Sequence, residues 1–395
     1  MQLNNLYLLH TKQPVQITLE GGRILSVSQV HDSGMMDPFQ IQFKNALAIP
    51  GLINSHDHLD FNCFPVFGDR IYNNYTEWGK HIHEEFKDPI EDVLDIPQNL
   101  RISWGIYKNL LAGITTVVNH GKFLQVENPL ITVYQEPQNI HSVQFEKHWK
   151  WKINNPIHSD KDVVIHAGEG LDEPSSREID QLIRFNLLGR KLVGVHGVAM
   201  NEQQAKNFKA IIWCPESNRV LLNQHAPISS LKKATRIVFG TDSTLTGNWN
   251  IWNHLRLARS LRQASDSELY DMVTNSPAEL WNLNKGVLAA GKDADIVVIN
   301  KKKPDPDLEG LFSTNPEEIL LVIHQGNIRL FDSCLLQQLS IMPIHLRRYS
   351  QVRFRGVTKF VEGDLPALIH NIKRYHPDSR LSANTFENQV QLSYD

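Results

Sequence analysis

The sequence predicts an α/β fold: a (β/α)8 TIM-like barrel with a small β-sandwich that both chain ends build. In the central part of the chain, short β-branched runs alternate with amphipathic segments, which is typical of strand–helix units around a parallel sheet. There are about eight such units, and this favours a closed barrel over an open nucleotide-binding sheet. The absence of G-x-G-x-x-G and G-K-[ST] phosphate loops from the sequence agrees with that choice.

The composition is that of an ordinary globular protein, and it excludes several functional classes. Of the 395 residues, 41% are hydrophobic and 21% are charged, with a formal net charge of −3. This charge gives no electrostatic attraction to nucleic acids or anionic membranes. Cys63, Cys214 and Cys334 are far apart and form no C-x-x-C pattern, so we expect no disulfide framework and a cytoplasmic location. We expect neither a signal peptide nor a transmembrane helix, because no long apolar run occurs.

Short β-rich runs mark the beginning of the chain. They cover residues 7–10, 15–19 and 23–27, and Gly21 and Gly22 between the last two predict a hairpin turn. The opening of the chain is therefore expected to be a small antiparallel structure rather than part of a barrel.

Domain boundaries follow from the change of pattern along the chain. We expect residues 1–48 and 285–331 to pair into one composite β-sandwich, because both carry short strand-like runs with tight turns. Residues 49–284 would form the barrel. Residues 332–395 would be a C-terminal extension that packs on the barrel or on a partner chain; its role and the oligomeric state stay open, with a homo-oligomer compatible.

Residues 61–90 fit no single secondary-structure period, because aromatic residues crowd a segment that also contains Pro65 and Gly68. One interpretation is an irregular loop that packs its aromatic side chains against the domain. The other is a long loop that covers a site and walls a substrate pocket. The pair His81 and His83 also falls here, but its surroundings, E-W-G-K-H-I-H-E-E-F, indicate a helix or loop rather than a barrel strand.

Polar side chains follow the apolar runs that are predicted to be barrel strands. His56 and His58 close the first strand, and both rings point to the same face because side chains alternate along a strand. His166 and His196 close two middle strands, and Asp242 closes the last. The carboxyl ends of all strands meet on one face of such a barrel, so we expect these residues to form one cluster. Histidine and carboxylate side chains in a cluster suit a divalent metal such as zinc.

Glu169 follows His166 in the motif H-A-G-E. If the chain turns sharply after the strand, its carboxyl group faces the same cavity, out of bulk water, where it can transfer protons. The alternative interpretation is a solvent-exposed loop glutamate.

The order of the motifs is similar to that of a known family. S-H-D-H, H-A-G-E-G, V-H-G, W-C-P-E-S-N and G-T-D-S, in that order, resemble the amidohydrolase superfamily. They are most similar to its branch of guanine, cytosine and S-adenosylhomocysteine deaminases and triazine hydrolases. The opening motif A-x-P-G-x-I-N-x-H-x-H and the later G-x-D-A-D-I-V-V-I match that family's barrel-plus-sandwich layout. The resemblance covers about residues 1–330.

Carried over residue by residue, the resemblance implies a single divalent metal, Zn²⁺ with Fe²⁺ as the alternative. Its ligands would be His56, His58, His166 and Asp242. His196 would lie beside the activated water, Glu169 would be the proton shuttle, and Asp242 would also accept the water's proton.

Other polar residues at strand ends have less defined roles. Glu146 and Lys147 lie where the family's dinuclear branch carries a bridging residue, so a second metal stays open, although the H-x-x-E pattern favours one metal. A further group could contact substrate or support the ligands, and the supporting role is favoured for each: His120, Lys122, Glu216, Ser217 and Asn218.

The predicted function is hydrolysis of a C–N bond in a small molecule, with deamination of a heterocyclic amine as the first hypothesis. The second hypothesis is hydrolysis of a cyclic amide, carbamate or substituted triazine at the same site. The third is a catalytically inactive barrel kept for binding or structure; the sequence argues against it because every ligand position is filled. Neither nucleic acid nor membrane is expected as a partner.

Overall fold

The computed structural model describes residues 1–9, 11–29, 39–377, 379 and 381, and the backbone of 386–387. His10, the last residue of a predicted strand, lies outside the described residues, as does most of the predicted extension beyond residue 381.

Strands and helices alternate through the central part of the chain, as predicted. The strands are β1 (Gln2–Tyr7), β2 (Val15–Glu20), β3 (Arg23–Gln29), β4 (Gln40–Pro50), β5 (Leu52–Asp57), β6 (Ile114–Asn119), β7 (Thr132–Tyr134), β8 (Gln138–Ser142), β9 (Val163–Ala167), β10 (Leu192–His196), β11 (Phe208–Trp213), β12 (Arg236–Phe239), β13 (Ile296–Asn300), β14 (Ile319–His324), β15 (Asn327–Asp332), β16 (Tyr349–Phe354), β17 (Val357–Glu362) and β18 (Phe386–Glu387). The helices are α1 (Tyr75–Glu85), α2 (Lys87–Leu94), α3 (Gln98–Leu111), α4 (Trp149–Ile153), α5 (Glu173–Phe185), α6 (Glu202–Ala205), α7 (Pro215–Leu222), α8 (Ile228–Leu231), α9 (Ile251–Ser260), α10 (Asp266–Asp271), α11 (Asn275–Leu280), α12 (Leu308–Phe312), α13 (Leu336–Ser340) and α14 (Leu365–Tyr375).

Two parallel sheets form the α/β part. One has five strands in the order β12-β11-β10-β9-β8, and the other has three in the order β5-β6-β7. All neighbours within them pair in parallel. Every residue of β5, β6, β9 and β10 is buried, as expected for parallel strands covered on both faces.

The two parallel sheets meet where β5 lies beside β12. The His56 carbonyl accepts a hydrogen bond from the Asp242 amide at 3.0 Å, and the Asp242 carbonyl accepts one from the His58 amide at 3.2 Å. A parallel bridge joins Asp57 to Asp242 at the same point. The last strand end is therefore held directly against the first.

A ten-stranded mixed sheet combines both ends of the chain, in the order β18-β16-β17-β15-β14-β13-β4-β1-β2-β3. Its two faces belong to different cores because side chains alternate along β4. Leu47 and Ile49 pack into the core shared with the helices and parallel strands, whereas Ala46 and Ala48 face a second core inside the sheet itself. The sheet thus has one face against the α/β part.

The described part of the C-terminal segment continues this sheet and contacts the helical layer. Strand β17 pairs antiparallel with β15, and β16 pairs with β17. Helix α14 packs against α3, and the Tyr107 hydroxyl in α3 donates a hydrogen bond to the Glu362 carbonyl at 3.0 Å. Residues 332–395 are expected to pack on the barrel or on a partner chain, and their described part packs within the same chain.

One local prediction differs from the structure. Residues 75–90 of the aromatic segment are largely helical rather than irregular, since α1 covers Tyr75–Glu85 and α2 begins at Lys87. Asn74 caps α1 by accepting a hydrogen bond from the Glu77 amide at 2.8 Å. Helix α6 ends at Ala205, and the buried strand β11 begins at Phe208. None of the described helices is both long and apolar enough to cross a membrane.

Candidate metal centre and active site

The structure brings all six predicted site residues together at the carboxyl ends of the parallel strands. His56, His166 and His196 lie at or next to the ends of β5, β9 and β10, while His58 and Asp242 follow β5 and β12. Each of these side chains is buried, and so is Glu169. The strands deliver polar groups to one point because each apolar run ends in a polar residue there.

Three of the histidines have the spacing of metal ligands. One nitrogen of each of His56, His58 and His166 lies within 4.8 Å of the others. The Nε2 atoms of His56 and His166 are 3.2 Å apart, and Asp242 Oδ1 is 3.6 Å from the Nε2 atoms of both His56 and His58. Tetrahedral ligands about 2.0–2.2 Å from zinc lie about 3.3–3.6 Å from one another. The donor types and their spacing therefore fit one divalent metal.

Asp242 presents one oxygen to the histidines and has the other oxygen fixed by hydroxyl groups. Ser217 and Thr246 each donate a hydrogen bond to Oδ2 at 2.8 Å, so Oδ1 is left facing His56 and His58. Burial opposes ionisation of Asp242, but the hydrogen bond with His56 and the charge of His58 hold its pKa well below the usual range. The carboxylate is therefore ionised and oriented.

Backbone strain accompanies two of the site residues. His196 has a φ of 72° and Asp242 a φ of 60°, in the left-handed region that non-glycine residues rarely adopt. Each such residue costs on the order of 1–3 kcal/mol, which the surrounding structure must supply. This left-handed backbone conformation sets the direction of both side chains at the strand ends. No sequence pattern indicates the conformation.

Asp57 lies between His56 and His58 in the sequence, and its side chain points to the face opposite to theirs. Its Oδ2 accepts a hydrogen bond from Lys108 Nζ at 2.7 Å and from Asn109 Nδ2 at 2.8 Å, while Asn62 Nδ2 donates to Oδ1 at 2.8 Å. The side chains of Asp57 and Lys108 are essentially inaccessible to solvent. This pair was missed by the sequence analysis; the signal was a lysine among apolar residues of an amphipathic helix.

Glu169 faces His196 and the metal-ligand cluster. Its Oε2 is 3.4 Å from His196 Nε2, and one ligand atom each of His166, Glu169 and His196 lie within 4.8 Å of one another. Burial, and then the charges of Asp242 and Glu178, raise the pKa of Glu169 well above its usual value. The raised pKa favours the acid form of Glu169, which lies in a buried cavity rather than on an exposed loop.

A second buried acid fixes the backbone of the loop that carries Glu169. Glu178 in α5 accepts a hydrogen bond from the Gly168 amide at 2.9 Å and another from the Tyr75 hydroxyl at 3.3 Å. Burial raises the pKa of Glu178 to about 7. Gly168 has a φ of 67°, which glycine adopts without strain.

The imidazoles of His58 and His196 are neutral at physiological pH. Burial lowers the pKa of His196 to about 3, and burial together with the charge of His56 lowers that of His58 to about 4. A neutral imidazole can offer a lone pair to a metal or a single N–H to a developing negative charge.

A cavity of about 540 Å³ lies over this cluster and reaches Glu169, His196 and Asp242. Its size is within the range of small-molecule sites. The aromatic segment supplies much of its wall, which supports the second interpretation of residues 61–90. Large apolar and aromatic wall residues are Phe61, Phe64, Tyr75, Trp78, Phe145 and Leu245.

The other candidate residues take supporting or outlying positions. Glu216 Oε2 lies 3.0 Å from His254 Nε2, Asn218 is buried, and Lys122 is exposed. Glu146 pairs with Lys152 at 2.5 Å, and among the described residues it belongs to none of the metal-binding groups.

His120 and His141 extend the histidine cluster. The His120 ring is 4.6 Å from the His166 ring and 5.0 Å from the His56 ring, centroid to centroid. His120 is buried, and neither of its nitrogens has a hydrogen-bond partner among the described residues. His141, whose ring centroid is 5.0 Å from that of His166, lines the cavity; the sequence analysis gave it no role, although it lies in a short strand.

The second histidine pair lies on helix α1, away from the metal-ligand cluster. His81 Nε2 is 3.0 Å from Asp69 Oδ1, and His81 packs on Tyr72. His83 is exposed and lines the cavity. The prediction that no strand carries this pair is confirmed.

Comparison with known proteins agrees with these features. Residues 141–329 match the model of the Amidohydrolase family. A 5-methylthioadenosine/S-adenosylhomocysteine deaminase of Pyrococcus horikoshii is 27% identical over 214 residues, covering 47% of this chain and 51% of the relative. The chain therefore spans about half the length of this relative in the alignment.

Solved structures share the whole fold. An adenosine deaminase of Xanthomonas campestris, crystallised with bound zinc, has a TM-score of 0.70 at 16% identity and covers 96% of this chain and 98% of its own. An atrazine chlorohydrolase of Arthrobacter aurescens, in complex with zinc and atraton, has a TM-score of 0.67 at 17% identity and covers 95% and 99%. At these identities the likeness concerns the fold, which is of the TIM-barrel type. The predicted resemblance is confirmed: residues 141–329 match the model of the Amidohydrolase family, and the similar proteins include deaminases and a triazine hydrolase.

Proposed function

We propose that the protein is a mononuclear metal-dependent hydrolase that cleaves a C–N bond and deaminates a heterocyclic amine. The observation that carries the proposal is the buried Glu169, whose carboxyl group faces His196 beside a cluster of three histidines and one aspartate and whose raised pKa favours its acid form. An acid in this position can deliver its proton to a ring nitrogen, and its carboxylate can then carry a second proton to the leaving amine. The names of the relatives, which are deaminases, support the same reaction.

The metal would be held by His56, His58, His166 and Asp242. When bound there, a divalent metal lowers the pKa of a coordinated water from about 16 to about 7. Zinc is favoured over Fe²⁺ because neutral imidazoles and a carboxylate suit it and because the similar crystal structures contain it.

The protein's own side chains supply the remaining chemistry. The ionised Asp242 accepts the proton that the attacking water gives up. The neutral His196 donates a hydrogen bond to the negative charge that develops on the attacked carbon's new oxygen. Glu169 protonates the ring nitrogen, which makes the carbon more electrophilic. The resulting Glu169 carboxylate takes the remaining proton from the attacking oxygen as the C=O bond forms and passes it to the amino group, which leaves as ammonia when the C–N bond breaks. The proton that Asp242 accepted then restores the acid form of Glu169. The apolar cavity excludes bulk water and aligns the ring with these groups.

The second hypothesis uses the same groups on a cyclic amide, a carbamate or a substituted triazine. The apolar cavity favours the triazine among these substrates. A protonated Glu169 would assist attack on a triazine ring as it assists attack on a purine, whereas simple amide attack depends on it less. The inactive-barrel hypothesis is disfavoured because every predicted ligand position carries a ligand-type side chain.

We extend the proposal to the architecture and setting of the protein. The two parallel sheets would close into one (β/α)8 barrel spanning residues 49–284, with β5 beside β12 as one seam. Residues 1–48 and 285–331 would form the composite sandwich domain, with 332–395 as its extension. Three free cysteines support a cytoplasmic location.

Ammonia release by zinc-loaded protein from a panel of amino-purines, amino-pyrimidines, pterins and amino-triazines tests the reaction. Glu169→Gln should lower kcat about 10²–10⁴-fold without changing the zinc content. The matched control is Glu173→Gln, since the Glu173 side chain is 77% exposed on α5 and should keep full activity. Absence of ammonia from every compound, with zinc bound, would contradict the proposal.

A further inference from the structure

We propose that the cavity selects a heteroaromatic amine whose substituent is apolar, an aryl or alkyl group, over the same ring with a sugar or a phosphate. This inference rests on the proposed function only in assuming that the amino carbon points toward Glu169 and the metal ligands. The evidence for the inference comes from the rest of the cavity, which must hold the substituent.

The polar atoms of the aromatic wall are already engaged within the protein. Trp78 Nε1 donates a hydrogen bond to the Phe67 carbonyl at 2.9 Å, and the Tyr75 hydroxyl donates one to Glu178 at 3.3 Å. Both residues line the cavity, and their internal hydrogen bonds leave their carbon surfaces for a ligand. An apolar substituent gains from such a surface, whereas a hydroxyl group loses its bonds to water there.

The two threonine hydroxyl groups of the wall are engaged in the same way. Thr76 donates a hydrogen bond to Asn74 Oδ1 at 2.6 Å, and Thr246 donates one to Asp242 at 2.8 Å. Ser243, also in the wall, is adjacent in sequence to Asp242 and therefore belongs to the reacting end. The hydroxyl protons of the two threonines are thus not available to a ribose diol.

The charged groups of the cavity fall into two places. Glu169 and Asp242 belong to the reacting end. His141, whose ring centroid is 5.0 Å from that of His166, lies toward the same end. Lys80 and His83 are exposed residues of the lining, and Lys80 is 3.9 Å from Glu84. Among the described residues no arginine lines the cavity. A phosphate or a vicinal diol therefore finds no buried charged partner between these two places.

Aromatic rings of the wall pack on one another and on the metal-ligand cluster. Phe61 stacks on the His58 imidazole with centroids 5.3 Å apart and ring planes 13° apart. Phe145 meets Tyr75 edge-on at 5.2 Å, and it can approach helix α1 because residue 79 is glycine: a Cβ there would lie 3.3 Å from Phe145 Cζ. Aromatic faces and edges of this kind pack on ring substituents.

Matched pairs of ligands on two rings test the inference: 9-benzyladenine against adenosine, and 1-benzylcytosine against cytidine. Binding is measured by calorimetry on zinc-loaded Glu169→Gln protein, so that no turnover intervenes. We expect the benzyl member to bind at least about tenfold more tightly than its ribosyl partner on at least one ring. A result in which neither benzyl compound binds more tightly than its partner, including no binding at all, overturns the inference.

A second variant tests whether the aromatic wall causes the preference. Phe145→Ala should weaken binding of the preferred benzyl compound about fivefold to tenfold and leave ribosyl binding and zinc content unchanged. Phe123→Ala is the matched control, because Phe123 is 78% exposed and does not line the cavity. An equal effect of Phe145→Ala on both members, or none on either, would argue against the aromatic wall. Failure of ammonia release with an intact benzyl preference would reject only the proposed function.

Discussion

The two histidine pairs share the same i, i+2 spacing but have different surroundings. His56 lies near the end of the buried strand β5, and His58 directly follows it. Residues two apart in extended backbone point to the same face, so both rings reach the same cluster as His166. His81 and His83 are on helix α1, where a spacing of two residues places side chains about 200° apart around the axis. One pair can therefore share a metal, while the other cannot.

This contrast predicts different effects of alanine on metal content. His56→Ala should remove zinc from the purified protein, because it deletes the nitrogen that lies within 3.6 Å of both His166 and Asp242. His81→Ala should retain about one zinc per chain, since its ring contacts Asp69 and Tyr72 instead. Elemental analysis of both variants measures this difference. Full zinc retention in His56→Ala would show that the metal site is wrongly assigned.

At the scale of the secondary-structure element, helix α5 holds the loop that carries the proton donor. Glu178, on its buried face, binds the Gly168 amide and the Tyr75 hydroxyl and so connects the loop to α1. The loop residue Glu169 consequently lies between two supported points, the end of β9 and the start of α5. Such support limits the motion of a group that must meet a substrate nitrogen.

The raised pKa of Glu178 predicts a pH dependence of stability. The pKa of Glu178 is about 7 in the folded protein and 4.5 for an ordinary glutamate, so the folded state binds the proton more tightly than the unfolded state. The resulting stabilisation is complete below about pH 4.5 and is lost as pH rises through about 7. Between pH 5 and pH 8, the free energy of unfolding should fall by about 2–3 kcal/mol from this group.

Glu178→Gln isolates this contribution, because glutamine keeps an acceptor for the Gly168 amide and does not titrate. Urea unfolding of both proteins at pH 5 and pH 8 should show a smaller pH-dependent loss in the variant. Because the charge of Glu178 also contributes to the raised pKa of Glu169, the comparison measures the titration of Glu178 together with its interaction with Glu169. The same pH dependence in both would mean that Glu178 does not titrate in this range.

At the scale of the whole molecule, a buried ionic cluster joins the ten-stranded sheet to the α/β part. Lys285 Nζ lies 2.7 Å from Asp295 Oδ2 and 3.1 Å from Thr116 Oγ1 in β6, and His324 Nδ1 in β14 lies 3.1 Å from Asp295 Oδ1. Burial opposes ionisation of Asp295, but His324 and Lys285 hold its pKa well below the usual value.

Removing the lysine should therefore destabilise the whole chain. Lys285→Met leaves the buried Asp295 carboxylate without its lysine, with His324 and the Gln325 amide as its remaining partners, and the loss is expected to be about 3–5 kcal/mol of unfolding free energy. Lys206→Met is the control: this lysine is exposed, and its loss should change stability by less than about 0.5 kcal/mol. Chemical denaturation measures both. Equal stability of the two variants would show that the cluster is not a structural connection.

The sequence by itself determined the α/β character and the residues that end the strands. Burial patterns and polar breaks are local, so His56, His58, His166, His196 and Asp242 could be identified as strand-end residues without coordinates. The same locality explains the errors. The aromatic composition of the segment conceals helices α1 and α2, of which α1 is capped by one contact of Asn74.

Only the tertiary structure decided which distant groups meet. Lys108 in α3 pairs with Asp57 in β5. Burial, together with the charges of Asp242 and Glu178, raises the pKa of Glu169. Strand β17 belongs to the same sheet as β4. Periodicity records which face of an element is buried but not what it is buried against. The pKa of Glu169, the apolar lining of the cavity and the strained backbone of His196 all arise from such partners, because desolvation and hydrogen bonding depend on the three-dimensional surroundings.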